Sequence, residues 1–259
     1  MAKRIGIVSD FHCGALFGLT PPLWHGTDRW AKVRRDLWAF YQQAVRKLAP
    51  VDVLVVNGDA VEGPSGVPND HCISVDRVMQ AEMAAEAIRL WNAPRLLMVM
   101  GTPFHTGQRE DWEKLVGSFS KPKAERLAES LDVEAHGKII NFRHFTGGTS
   151  VPKKIPPGLT REQSWNRVKA EAGVAPKADI IVRSHLHTHM KGTEQYGDGK
   201  EVMFIITPGL QGYSSYGARK VSRVIHFGAL VLEIEDDGRV TVEREMMAVK
   251  APDGKVVRI

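Results

Sequence analysis

Three short runs rich in Val, Ile, Leu and Met, RIGIVSD (4–10), DVLVVNGD (52–59) and RLLMVMG (95–101), alternate with amphipathic stretches near 29–48 and 74–92. Apolar runs of strand length separated by segments of helical period predict β-α-β units whose parallel strands are buried on both faces. The first half therefore reads as α/β.

Further along, helical patterns near 110–117 and 121–131 precede IINFRHF (139–145), and a loop rich in Gly, Pro and Lys, TGGTSVPKKIPPG, leads to a helix near 160–172. DIIVRSH (179–185) and EVMFIITPG (201–209) read as strands, and GALVLEIEDDGRVTVEREM reads as a hairpin turning at Asp-Asp-Gly. No repeat and no shift of composition divides the chain, so a single domain over 1–259 is expected. A chain of 259 residues buries a substantial core without staples.

Cys13 and Cys72 are the two cysteines, with no C-x-x-C spacing, which favours reduced thiols over a disulfide framework. The stretch MAKRIGIVSD is too polar for a secretory leader, and no apolar segment approaches the length that crosses a bilayer. A cytoplasmic location without membrane association is the expectation. The formal charge of +5 favours anionic partners such as phosphate esters or nucleic acid, although Lys and Arg are scattered among almost as many Asp and Glu.

The sharper signal lies where the apolar runs stop. Asp10 and His12 end the first, Asp59 the second, His144 follows IINFR, and His185 and His187 follow DIIVRS. His105 follows RLLMVMG through Gly-Thr-Pro-Phe. In extended backbone the period of two would point Asp10 and His12 to one side, and likewise His185 and His187. Five strands thus deliver an Asp or a His at their carboxyl ends, the edge where open α/β sheets bind ligands. Taken singly each residue is more often a cap, a turn residue or a hydrogen-bonded structural histidine. Together, two carboxylates and several imidazoles suit a divalent metal such as Mn, Fe or Zn. His25, His71, His136, His189 and His226 are read as structural or loop residues. No G-x-S-x-G, P-loop or G-x-G-x-x-G occurs, which leaves metal-activated water as the leading nucleophile.

The order of these motifs resembles the calcineurin-like metallophosphoesterases, whose pattern is D-x-H, G-D-x-x-D/E, G-N-H-D/E, a lone His and G-H-x-H at successive strand ends. Here they read Asp10-Phe-His12, Gly58-Asp59-Ala-Val-Glu62, the irregular GTPFH, His144, and Ser184-His185-Leu-His187. The motif style is similar to that of phage-encoded members. The resemblance implies two mixed sheets packed as a sandwich and flanked by helices, a four-layer fold. It also implies two divalent ions: Asp10, His12 and His187 at one, His144 and His185 at the other, Asp59 between them. Ser184 replaces the usual Gly. Thr102 stands where the family places a metal-binding Asn, so His105 is either the acid acting on the leaving group or a substitute ligand.

The implied activity is hydrolysis of phosphomonoesters or phosphodiesters by a dinuclear metal-bound hydroxide, on a phosphate ester that includes nucleic acid or nucleotides. Loops 13–28 and 145–158, with Lys153 and Lys154, are candidates to touch a nucleic-acid backbone. The competing reading is a non-catalytic protein that keeps the fold as an interaction scaffold.

Overall fold

A computed structural model describes residues 1–63, 71–107, 112–146, 157–195, 199–213 and 224–249. The first half holds β1 (Lys3–Val8), α1 (Ala31–Leu48), β2 (Val53–Asn57), α2 (Arg77–Arg89), β3 (Leu96–Val99), the single turn α3 (Pro103–Thr106) and α4 (Trp112–Phe119). Then come β4 (Arg126–Ala128), β5 (Leu131–Ala135), β6 (Lys138–Phe142), α5 (Pro157–Glu171) and β7 (Ile180–Arg183). The chain continues through β8 (Met190–Gln195), β9 (Glu201–Ile206), β10 (His226–Ile234) and β11 (Val240–Ala248).

Two mixed sheets result. One has the order β11-β10-β1-β2-β3-β4, with β1 to β4 parallel and the hairpin β10-β11 antiparallel at its edge. The other has the order β5-β6-β7-β9-β8, parallel at its centre and antiparallel at both edges. All five residues of β2 are buried, as befits a central strand covered on both faces.

The alternation of side chains assigns each strand face to a layer. Ile5, Ile7, Val55 and Leu230 of the first sheet meet Ile140, Phe142, Ile180 and Val182 of the second in one core. The opposite residues of the first sheet, among them Val8, Leu54, Val56 and Met98, pack against α1, α2 and α4. Helix α1 buries Arg34, Leu37, Trp38, Tyr41, Val45 and Leu48, a stripe of helical spacing. Asp76 caps α2 by accepting from the Met79 amide. On the outside of the second sheet, α5 is pinned by Asn166, bonded to both main-chain groups of Ala178, and by Glu162, paired with the buried Arg183. Helices flanking two mixed sheets are the layers expected from the sequence. No helix among the described residues is long and apolar enough to cross a membrane.

Three readings of the sequence are revised. The helix read near 121–131 is instead β4 and the start of β5. The propensity of KAERLAE for helix is overridden because the free edge of β3 pairs with β4, Leu97 opposite Arg126 and Val99 opposite Ala128. Strand β8 was not anticipated; its sequence MKGTEQ is polar, and it survives as an edge strand on β9. The strand leading to His105 also ends at Val99, two residues before Gly101.

Candidate metal centre

The carboxyl ends of β1, β2, β3, β6 and β7 converge, and main-chain bonds sew their loops together. Asp10 donates its amide to the carbonyl of Gly58, His12 to that of Asp59, and Ser184 to that of His144. The side chains reach the centre differently from the strand-period expectation. Asp10, His12, Asp59, His185 and His187 all have positive φ, between 45° and 68°. The extended alternation therefore does not apply, and left-handed residues turn each side chain inward. Non-glycine residues held there cost about 1–3 kcal/mol each and tend to mark functional sites. Gly101 is required for a different reason: a Cβ there would lie 2.1 Å from Asp59 Oδ1.

Six of the seven residues singled out from the sequence form two ligand groups, Asp10 with His12 and His187, and Asp59 with His144 and His185. Asp10 Oδ1 joins them, 3.1 Å from His187 Nε2, 3.8 Å from His144 Nε2 and 4.0 Å from His12 Nε2. Asp10, His12, Asp59 and His144 are buried.

The donor set fits cations. His144 Nδ1 lies 2.7 Å from the carbonyl of Asn57, which can only accept, so Nδ1 carries a proton and the Nε2 lone pair is left to take a second proton or a metal ion. That lone pair faces Asp59 Oδ2 at 2.9 Å, two acceptors in contact unless a proton or a metal ion lies between them. Likewise His12 Nδ1 is 2.8 Å from Glu62 Oε2, leaving His12 Nε2 buried without a hydrogen-bond partner, as is Asp10 Oδ1. Burial alone would lower the pKa of His144, but the Asp59 and Asp10 carboxylates outweigh it and raise it to about 10. Burial would raise Asp59, yet His144 holds it far below the carboxylate range. Burial lowers His185 to about 4 and keeps its ring neutral. These are the marks of a centre whose anions await positive charge.

His105 stands at the first group. Its ring lies 4.5 Å from that of His12, and its Nδ1 bonds the carbonyl of Glu62 at 2.7 Å. His12, Glu62 and His105 form a third set of close donors, whereas His105 is not grouped with Asp59, His144 and His185. Thr102, in the family's Asn position, donates its amide to Asp59 Oδ1 at 2.7 Å and its hydroxyl to the same oxygen at 3.2 Å. It therefore orients Asp59.

Several supporting residues escaped the sequence reading. Glu113 of α4 is buried and accepts the amides of Ala60 and Gly101, the residues beside Asp59 and Thr102. Burial, with Asp59 nearby, raises its pKa to about 7. Its signal was a Glu inside the buried stripe Trp112, Val116, Gly117 of an otherwise apolar helix face. The Ser184 hydroxyl does more than replace a glycine hydrogen: it accepts from the Asn57 amide at 2.7 Å and from the Thr207 hydroxyl at 2.8 Å. Thr207 in turn meets Ser9, so a buried polar chain ties the two sheets beneath the centre.

The histidines kept apart stay apart from the ligand groups. His25, His136 and His189 bond main-chain carbonyls, and His226 Nδ1 accepts the His189 amide. Cys13 is buried with its thiol on the carbonyl of Leu19, and the two cysteines form no disulfide. Loop 13–28 is held down by bonds from Leu19 to Phe11 and from Leu16 to His71. Lys153 and Lys154 lie outside the described residues.

No family model matches the sequence, and no curated protein matches it. Among solved structures, the chain is similar to Vps29 of Entamoeba histolytica complexed with zinc, at 16% identity over 94% of this chain and 98% of that one, TM-score 0.47. It is similar to Yfce, a phosphoesterase from E. coli, at 14% identity over 95% and 100%, TM-score 0.40. A metallophosphoesterase from Sphaerobacter thermophilus aligns at 12% identity over 96% and 89%, TM-score 0.39. TM-scores below 0.5 carry no weight for function, which rests on the centre itself.

Proposed function

We propose that the chain is a metal-dependent phosphoesterase of the calcineurin-like type that hydrolyses phosphomonoester or phosphodiester bonds with two divalent ions, Mn, Fe or Zn. The observation that carries this reading is the pair of ligand groups joined at Asp10 Oδ1, with acceptor atoms of His144 and Asp59 face to face at 2.9 Å. Asp10, His12 and His187 would hold one ion, and Asp59, His144 and His185 the other. When bound, such ions supply charge for the phosphate oxygens and acidify a water enough to attack at neutral pH.

The chain's own groups do the rest. Glu62 fixes the His12 ring so that Nε2 faces inward, Asn57 does the same for His144 through its carbonyl, and Thr102 fixes Asp59. His105 keeps one proton on Nδ1 against the Glu62 carbonyl, so it passes a proton from Nε2 to the departing oxygen only in its doubly protonated form, which burial and the nearby His12 disfavour and which acid would restore.

Elemental analysis, together with turnover of bis(p-nitrophenyl) phosphate in added Mn²⁺, tests the reading. About two ions per chain and Mn-dependent release of nitrophenol are expected. Absence of both tight metal and turnover would overturn it, and metal without turnover would favour the scaffold reading. His105→Ala is expected to lower turnover roughly 100- to 10,000-fold while both ions stay. Loss of an ion in that variant would make His105 a ligand instead.

A further inference from the structure

Phe104 and Phe145 are 51% and 55% exposed, whereas Phe11, Phe142, Phe204 and Phe227 are 0 to 1% exposed. Each of these two rings lies against a histidine of the centre. Phe104 meets His105 edge-on with centroids 4.9 Å apart, and Phe145 meets His185 at 5.1 Å. From Phe104 the ring contacts continue inward, His105 to His12 at 4.5 Å and His12 to His187 at 5.2 Å. From Phe145 they continue from His185 to His144 at 5.5 Å. Asp10 Oδ1 joins the two series. The exposed rings thus end a row that crosses both ligand groups, one ring at each end.

A large apolar ring left in water forgoes the gain of burial, so core packing does not account for either. Their placement has a simpler use. A phosphodiester held at the centre carries two ester substituents, one for each of these rings. A monoester, a phosphotyrosine included, would leave one ring idle, and a lipid phosphate offers no planar face to stack. Bases inside a duplex are already stacked on each other, so free faces belong to a single strand. The formal charge of +5 suits such a polyanion.

We propose that Phe104 and Phe145 are stacking platforms for the two bases that flank a phosphodiester of single-stranded nucleic acid. The proposal rests on the phosphoesterase reading of the centre and names its substrate.

The test compares binding of a labelled oligothymidylate with that of an abasic strand of the same length, both to Mn²⁺-loaded protein, by fluorescence anisotropy. Equal phosphate charge cancels the electrostatic part, so any preference reports the bases. Wild type is expected to prefer oligothymidylate by about 10-fold or more, and Phe104→Leu and Phe145→Leu are each expected to lose about 10-fold for that strand alone. Leu keeps the residues apolar, metal content reports an intact centre, and Phe→Tyr at either position is expected to retain the preference. Undetectable binding of oligothymidylate, equal affinity for both strands, or a preference that survives in the double Leu variant would overturn the proposal. Turnover of bis(p-nitrophenyl) phosphate is read separately. Turnover without base preference sinks the platforms and keeps the hydrolase; base preference without turnover does the reverse.

Discussion

The two halves of the centre use the same ligand types and opposite support. In the Asp10, His12 and His187 half, the imidazole of His12 is backed by a carboxylate, Glu62 Oε2 at 2.8 Å, and His105 leans on the same residue. In the Asp59, His144 and His185 half, His144 is backed by a neutral carbonyl of Asn57, and Asp59 already spends one oxygen on Thr102. A carboxylate behind a ligating histidine raises its basicity more than a carbonyl does. The first half should therefore hold its ion more tightly, and the second should be the one that loads and empties.

The largest expected effect removes the comparison altogether. Asp10→Asn takes away the charge of the first group's carboxylate, whose Oδ1 also lies 3.8 Å from His144 Nε2 of the second, and metal content should fall from about two ions to none. His144→Ala should empty the second half alone. One ion still bound by the Asp10 variant in elemental analysis would show that the halves are independent. Next comes Glu62→Gln, which keeps an acceptor for His12 Nδ1 but removes its charge. The first half should weaken about 10- to 100-fold. Equal weakening of both halves in a metal titration would contradict the asymmetry.

Acidity separates the halves without mutation. In metal-free protein His144 is raised to about 10, above its ordinary 6.5, so its contribution to stability is full below about 6.5 and is lost as pH rises through 10. His12 is also raised and adds the same sign. His185, lowered to about 4, has its full effect above 6.5, and the carboxylates of Asp10 and Asp59, lowered from 3.8, act only in acid. Glu113, raised to about 7, loses its favourable protonation between 4.5 and 7. Between pH 7 and 9 the raised histidines alone remain, and above 9 the buried Cys13 thiol, raised by burial, adds a loss of the same sign. Thermal unfolding in EDTA should therefore show the melting temperature falling across that window. His144→Gln should flatten the fall, and added Mn²⁺ should abolish it as the ion takes the proton's place. A flat metal-free profile would mean that His144 is not the proton holder.

What the sequence disclosed and what it hid follow from range. Strand ends carrying Asp10, Asp59, His144 and His185 were legible because apolar runs and their last polar residue are local. The two sheets and flanking helices came from motif order, which the observed topology bears out. The inward turn of Asp10 and His12 was not legible as written: period two assumed extended backbone, and φ of 53° and 45° replaced it. Glu113 reaches the Ala60 amide at a separation of 53 residues, and Asn57 reaches Ser184 at a separation of 127. Such pairings leave no local pattern. Strand β4 was hidden for the same reason, since its partner edge on β3 lies outside its own sequence.

The smallest effect bears on the residue that most departs from the family pattern. Thr102→Val deletes the hydroxyl contacts to Asp59 at 3.2 and 3.4 Å and leaves the 2.7 Å amide bond in place. One long hydrogen bond to an ionised carboxylate is at stake, about 1.5 kcal/mol at the weak end of its class, so the second half should weaken only about 10-fold and the first not at all. Thr102→Asn should go the other way. Its carboxamide oxygen adds a donor beside Asp59 and should raise retention of the second ion under dialysis. If Asn weakens that ion while Val leaves it untouched, Thr102 is matched to its place by shape, and the looser hold of the second half must come from Asn57 alone.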